Sequence, residues 1–472
     1  MIAGLKPYAE YTDSGHDWLG TLPAHWGQLR AKCLFREVDE RSKTGKEELL
    51  SVSHITGVTP RRLKTVTMFL AESNVGHKVC QPGDLVINTL WAWMAALGVT
   101  KHTGIVSPAY GVYRPTDDGG MLPAYADHLL RTPLYAAEYQ RRSTGVNSSR
   151  LRLYPEQFLR MPVLVPPLDE QAAIVRFLDW TNARLERAIR AKRKVIALLM
   201  EQKQAIVHRA VTRGLDATVH VKPSGVPWLG DIPEHWEVRR LRQVAGMKPS
   251  KAESVDELRQ DGEVTFLPME RVGVDGAIDG SELAKAGDVW NGFTYFRRGD
   301  VIVAKITPCF ENGKGAFLDK LPTRVGFGST EFHVVRPGPK VLGAYLRLIT
   351  SSKQFLANGE NSMTGSAGQQ RVPTDFVKNF PIALPSVLEQ REILASVGRE
   401  ALRFDMIGTR LVREIDLLRE YRTRLVADVV TGKLDVREAA ARLPEDATAG
   451  IEAEPTDEAE DPELIDEEAT EA

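Results

Sequence analysis

Cysteine is scarce in this chain of 472 residues: only Cys33, Cys80 and Cys309 occur, far apart and without a C-x-x-C pair. That argues against a disulfide framework and against a cysteine-based structural zinc site, and it fits a reducing cytoplasm. Long apolar runs are also missing. No stretch of 18 apolar residues occurs and no basic-then-apolar leader opens the chain, so neither a membrane span nor a signal peptide is expected. At roughly 150 residues per domain the length predicts about three compact units.

Net charge is nearly absent too, at -2, but that figure averages two opposites. Residues 444–472 hold 13 Asp and Glu and no Lys or Arg. The 63 acidic side chains less those 13 leave 50 against all 61 basic ones, a balance of +11 over residues 1–443. A basic body favours a polyanionic partner through counterion release. The acidic end, rich in Pro, Glu, Asp and Ala, has too little apolar surface to order itself and reads as a disordered tail.

The chain repeats itself. SGHDWLGTLPAHW (14–26) realigns with SGVPWLGDIPEHW (224–236), identical at eight of thirteen positions. PVLVPPLDEQAAI (162–174) matches PIALPSVLEQREI (381–393), and VTRGLD (211–216) matches VTGKLD (430–435). Between these anchors the halves diverge, although each carries a Gly-Asp followed by an apolar strand, QPGDLVIN from Gln81 and FRRGDVIVAKI from Phe296. Each then reaches a polar loop, TGVNSSRLR from Thr144 and TGSAGQQRV from Thr364. A duplicated scaffold with separately specialised middles explains this pattern.

Short β-branched and aromatic runs punctuated by Gly and Pro over 47–166 and 262–385 predict mixed sheet, with helices over 124–141 and 342–356. Trp91 and Trp93 alternate as in a strand, where a core or half-buried position is the default and base stacking the sharper alternative. The segments 168–213 and 387–431 lack proline and space apolar residues three and four apart, which predicts long helices. Leu178, Leu185, Lys192, Leu199 and Ile206 lie seven apart, and a shift of 219 carries them onto Val397, Phe404, Leu411, Leu418 and Leu425. Such a seam must be covered by another helix, so the two helices are expected to pair as a rod.

Motifs that would make the chain an enzyme are absent. There is no G-x-x-x-x-G-K-[ST] phosphate loop and no G-x-G-x-x-G after a strand. Val165-Pro166-Pro167-Leu168 lacks the polar and aromatic flanks of an adenine-methylating site. Glu201-Gln202-Lys203 spells E-x-K, but on a long helix without an acidic partner on a strand, and reads as helix surface. No H-x-x-x-H pair occurs, and His25-Trp26 and His235-Trp236 read as packing elements of the repeated anchor.

Two copies of W-L-G-x-x-P-x-H-W, two of P-x-x-x-x-E-Q-x-x-I opening a long helix, and two dissimilar middles resemble the DNA specificity subunit of type I restriction-modification enzymes, from about Ser14 to Asp435. The resemblance implies an α+β chain: two α/β target recognition domains in pseudo-twofold duplication, separated by two long antiparallel coiled-coil helices, plus the disordered acidic tail. The implied segments are a first recognition domain (1–166), a first spacer helix (167–216), a second recognition domain (217–386), a second spacer helix (387–436) and a tail (437–472). It further implies a non-catalytic subunit that reads an asymmetric bipartite site in double-stranded DNA. Its partners would be two methyltransferase subunits and ATP-dependent restriction subunits, which carry S-adenosylmethionine, ATP and Mg while this chain binds no cofactor. Two other readings remain open, a methylase-only or related defence system and a coiled-coil scaffold with protein-binding ends.

Base readers need bidentate donors, such as Arg for guanine or Asn and Gln for adenine, whereas Lys usually grips phosphate. In the first half the polar loops single out Asn147, Arg150 and Arg152 as readers, with Arg61, Arg62 and Lys64 on phosphates. In the second half Gln369, Gln370 and Arg371 occupy the matching loop, with Lys305, Asn312 and Lys314 after the Gly-Asp strand.

Overall fold

The two proline-free stretches form uninterrupted helices, Leu168–Arg213 and Val387–Val430, in a computed structural model that describes residues 5–64, 73–116, 120–145, 151–255, 262–366 and 368–444. At 46 and 44 residues they are roughly 69 and 66 Å long. Both end at a glycine in a left-handed conformation, Gly214 at φ +72° and Gly432 at φ +78°, which lie one position apart in the repeat. A Cβ on either glycine would also crowd an anchor tryptophan, coming within 3.2 Å of Trp236 and Trp26 respectively. In each unit a glycine just after the long helix therefore lies against the repeated Trp.

The chain folds as two compact units rather than three: residues 1–192 with 413–472, and residues 193–412. Each long helix is thus shared between them. In the first unit Leu425, Val429, Val430 and Val436 from the end of the chain join Trp26, Tyr125, Ile174, Phe177 and Leu178 in one core. In the second, Val207, Ala210 and Val211 pack with Trp236, Ile393 and Val397. The expected boundaries at 166, 216, 386 and 436 therefore mark changes of sequence pattern, not limits of packing. The tail also begins later than 437: Arg437–Ala441 is a short helix that buries Ala440. The acidic residues from 445 on lie outside the described residues.

Within each unit the two long helices run in opposite directions. In the first, Glu186 pairs with Arg422, and Lys192 Nζ lies 2.6 Å from Glu414. In the second, Lys203 lies 2.8 Å from Asp405, so the lysine of the E-x-K spelling is an inter-helix ion-pair partner. Leu178, Val397 and Leu425 are buried, and Leu185, Lys192, Leu199, Ile206, Phe404, Leu411 and Leu418 are half-buried.

Each unit is built on the same four-stranded antiparallel sheet. Its order is Phe35–Glu37, Gly111–Pro115, Leu85–Ile87, Leu97–Val99 in the first unit and Ala245–Met247, Phe332–Pro337, Val301–Ala304, Gly315–Phe317 in the second. The strand after the anchor pairs with the strand before the long helix in both, Gly27–Arg30 with Pro162–Val165 and Glu237–Arg240 with Pro381–Leu384. The units then part company. The second adds a four-stranded sheet, Leu283–Lys285, Glu263–Leu267, Val325–Gly328, Thr294–Arg297, with one parallel pair. The first has two-stranded pairs, Leu50–Ser53 with Gly57–Pro60 and Lys78–Cys80 with Gly104–Val106.

Three local expectations are corrected. The helix expected over 124–141 is two, Pro123–Leu130 and Pro133–Arg142, because Pro133 cannot donate within a helix and suits a first turn instead. The one expected over 342–356 is Gly343–Thr350 and Lys353–Glu360, restarted by Ser352, whose side chain accepts from the Phe355 amide. Trp91 and Trp93 are not in a strand: Trp91 precedes and Trp93 lies within a 3-10 turn, Ala92–Met94, closed by Ala95 in the left-handed region. Their rings lie 5.7 Å apart.

Candidate nucleic-acid interface

The repeated Gly-Asp turns set the geometry of the candidate surface. Asp84 is buried, accepts from the Gln81 amide, and takes the Arg114 guanidinium side-on at 2.9 and 3.0 Å. Asp300 does the same with the Arg297 amide and with Arg336 at 2.7 and 2.8 Å. These ion pairs tie neighbouring strands of each sheet together, so the loops that leave the strands start from equivalent places.

One such loop in each unit is closed by a two-residue bridge. Thr144 and Arg152 exchange backbone hydrogen bonds, as do Thr364 and Arg371. The next amide then donates to the loop after the Gly-Asp strand, Leu153 to Thr89 and Val372 to Lys305. Arg152 and Arg371 are therefore structural equivalents, each at the foot of a polar loop beside the end of a central strand.

In the second unit this geometry brings several expected residues together. Arg371 donates from Nε and Nη2 to Glu331 at 3.0 and 2.9 Å, and Lys305 Nζ lies 4.0 Å from the same carboxylate. The Gln370 amide donates to Thr307, whose own amide donates back to the Gln370 carbonyl. Gln369 and Asn312 are exposed. Lys314 is different: its Nζ donates to the Met269 carbonyl, which gives it an internal partner. The hydrogen bond from Arg371 holds the Glu331 carboxyl below its ordinary range, while burial lowers the Lys305 pKa and Glu331 opposes that shift. His333, buried on the central strand, donates to the Val372 carbonyl and anchors the loop. Glu331 and His333 were not expected from the sequence, because their roles depend on Arg371 and Val372, some 40 residues away.

In the first unit Arg152 lies 5.6 Å from the Tyr154 ring centroid, and Arg62 donates to Glu48 at 2.6 Å. Arg61 and Lys64 are half-buried at either side of it on the same short turn. Asn147 and Arg150 lie outside the described residues. Among the described residues no cluster of His, Cys, Asp and Glu could hold a metal ion, and no helix is long and apolar enough to cross a membrane.

The E-Q pair that opens each long helix explains the anchors. Glu170 accepts from Tyr8, from Trp26 Nε1 at 3.0 Å and from His25 Nε2 at 2.8 Å. Glu389 accepts from Trp236 at 3.1 Å, His235 at 2.6 Å and the Ser386 amide at 2.9 Å. Gln171 and Gln390, both fully buried, accept from Leu122 and Leu342 and donate to the carbonyls of Gly120 and Pro166 or of Lys340 and Pro385. Each E-Q thus clamps the anchor with one side chain and a connecting loop with the other.

Burial alone would raise the Glu389 pKa, but hydrogen bonds from His235, Ser386 and Trp236 outweigh it and bring the group down to about 2. A depressed carboxyl stabilises the fold above its unfolded pKa, near 4.3, and that contribution is lost as pH falls towards 2. Glu389→Gln should therefore cost the second unit about 1 kcal/mol at pH 6, a value reduced for the partial exposure of this pair. The difference from wild type in melting temperature should shrink as pH falls from 4.5 to 2. A constant difference would show that the charge is irrelevant.

Residues 233–397 match the type I restriction modification DNA specificity domain. The chain is 39% identical over 189 residues to the type I restriction enzyme EcoEI specificity subunit of Escherichia coli, covering 39% of this chain and 31% of that one. It is 41% identical over 168 residues to the EcoAI specificity subunit of the same species, covering 35% and 28%. The chain thus spans about three-tenths of the length of these curated relatives. A chain from a solved structure on complex assembly and conformational transition of the type I R-M system superposes with a TM-score of 0.62 at 14% identity, over 88% of this chain and 99% of that one. That likeness is one of fold.

Proposed function

We propose that this chain, whose residues 233–397 match the type I restriction modification DNA specificity domain, belongs to that family and is the non-catalytic subunit that addresses such a complex to DNA. Each unit reads one short half-site in double-stranded DNA, and the two long helices serve as a supercoiled spacer between the readers. The half-sites differ, so the bipartite target is asymmetric. Methyltransferase subunits, two per specificity chain, supply S-adenosylmethionine-dependent adenine methylation, and ATP-dependent restriction subunits with Mg supply cleavage. The work of this chain takes place in the cytoplasm.

The observation that carries this reading is the pair of equivalent backbone bridges, Thr144 with Arg152 and Thr364 with Arg371, that bound segments of different sequence. Equivalent sheets present them, yet their residues differ, as two readers of two sequences require. The basic body, +11 over residues 1–443, provides the phosphate attraction that positions such readers.

Duplex binding by the full chain tests the proposal. Affinity should fall steeply with salt, and Lys64→Ala should weaken all sequences alike while reducing the salt slope by about 1. Incubated alone with DNA and S-adenosylmethionine, the chain should transfer no methyl group. Salt-independent binding, or methyl transfer by the lone chain, would overturn the assignment.

A further inference from the structure

We propose that Glu331 is a positioning residue that makes Arg371 a guanine reader, so that the half-site read by the second unit contains an obligatory G·C pair. The inference rests on the DNA-reading function proposed above and names one element of its target.

A guanidinium has five N–H donors in a rigid fork. Glu331 occupies the side of that fork formed by Nε and Nη2, at 3.0 and 2.9 Å. The Gln369 carbonyl accepts a long hydrogen bond from Nη1 at 3.4 Å. One N–H on Nη1 and one on Nη2 are left by this count, and a partner at the end of the fork, between Nη1 and Nη2, competes at most with the long bond to Gln369. The side chain is 44% exposed, so this end is open to a partner. Two parallel donors suit two adjacent acceptors, and in the major groove the O6 and N7 of guanine supply that pair. Adenine offers N7 beside a donor, which the second N–H would oppose.

Glu331 is itself well supported. Its amide donates to the Ser329 hydroxyl, and its carbonyl accepts from the Lys305 amide at 2.9 Å. Lys305 Nζ approaches the same carboxylate, so the pair Arg371–Glu331 sits in a net positive setting that phosphate would favour. Among the described residues the first unit shows no such arrangement. Counting five residues back from the equivalent arginines Arg114 and Arg336 places Ala109 where the second unit has Glu331. The Ala109 carbonyl accepts from Thr89, which stands in the place of Lys305. The equivalent reader, Arg152, lies by the Tyr154 ring instead. Arg371 and Arg152 are thus held differently, so the guanine requirement argued from Glu331 is assigned to the half-site of the second unit.

Selection of duplexes from a randomised pool by the full chain, followed by sequencing, decides the matter. Wild type should enrich two half-sites, one with an invariant G·C pair. Glu331→Gln should keep both motifs but lose about tenfold to a hundredfold of discrimination at that single pair, the range expected for one bidentate contact. Arg371→Ala should lose the same position, and the double variant should lose no more. Glu331→Asp, which keeps the charge, should retain preference for the same pair, and melting curves confirm that each variant is folded. If Glu331→Gln shifts affinity for every duplex by the same factor and alters no single position, the carboxylate acts only through its charge and the inference is wrong. If wild type enriches no sequence at all, the DNA-reading function itself fails, and this inference with it.

Discussion

Ending the chain after Arg424 is expected to unfold the first unit while leaving the second folded. The deleted segment carries Leu425, Val429, Val430 and Val436, all buried in the first unit's core. At about 1.5–3 kcal/mol for each large apolar side chain fully removed from water, the loss is of the order of 6–12 kcal/mol. A domain's whole stability is about 5–15 kcal/mol. Hydrogen bonds go as well: the Tyr125 hydroxyl donates to the Val430 carbonyl at 3.1 Å, the Tyr11 hydroxyl to the Gly432 carbonyl at 3.0 Å, and the Asp435 amide to the Lys6 carbonyl at 2.8 Å. The second core draws only on residues within 193–412. Hydrogen exchange read by mass spectrometry should thus show protection lost throughout 5–192 and kept at Val301–Ala304 and Phe332–Pro337. Equal protection of both units in the truncated chain would show that the end of the second helix is dispensable.

Asp84→Ala and Asp300→Ala are expected to be the most damaging point changes, each in its own unit. Both carboxylates are about 1% exposed, and each leaves an arginine, Arg114 or Arg336, largely buried when removed. For Asp84 the cost approaches that of orphaning a buried charge, about 3–5 kcal/mol, because Arg114 keeps only a 3.5 Å contact with Glu40; for Asp300 it is smaller, because Arg336 keeps Glu253. At roughly 2–4 °C per kcal/mol for units of this size, the melting transition should fall by on the order of 10 °C. Only the mutated unit's transition should move, since each site lies within its own unit. Replacing both partners, as in Asp84→Leu with Arg114→Met, should restore much of the loss, since Glu40, the second partner of Arg114, is exposed. A double replacement as harmful as the single one would show that the ion pair itself, rather than the orphaned charge, carries the stability.

Parts of this molecule could be read directly from its residues. The extents of both long helices follow from proline-free sequence with apolar spacing of three and four, a local signal that neighbouring residues express together. The break between Leu130 and Pro133 was missed because one proline overrides an otherwise helical pattern. The turn holding Trp91 and Trp93 was missed for a related reason: alternation over three residues is too short to separate a strand from a tight turn. At the candidate interface, the polar loops pointed to Arg152 and Arg371, but nothing local pointed to Glu331, which lies 40 residues before the arginine it holds.

By itself, the sequence determined the duplication, the two helices, the Gly-Asp turns and the place of the polar loops, because each is written in contiguous residues whose backbone preferences and side-chain periods act over a few turns of chain. The tertiary structure alone decided which helix end completes which core, which arginine each buried aspartate holds, and which carboxylate orients Arg371. Those pairings join residues 30 to 421 positions apart. Contacts so distant form only when the whole fold brings their burial and hydrogen bonding together, and no local preference encodes them.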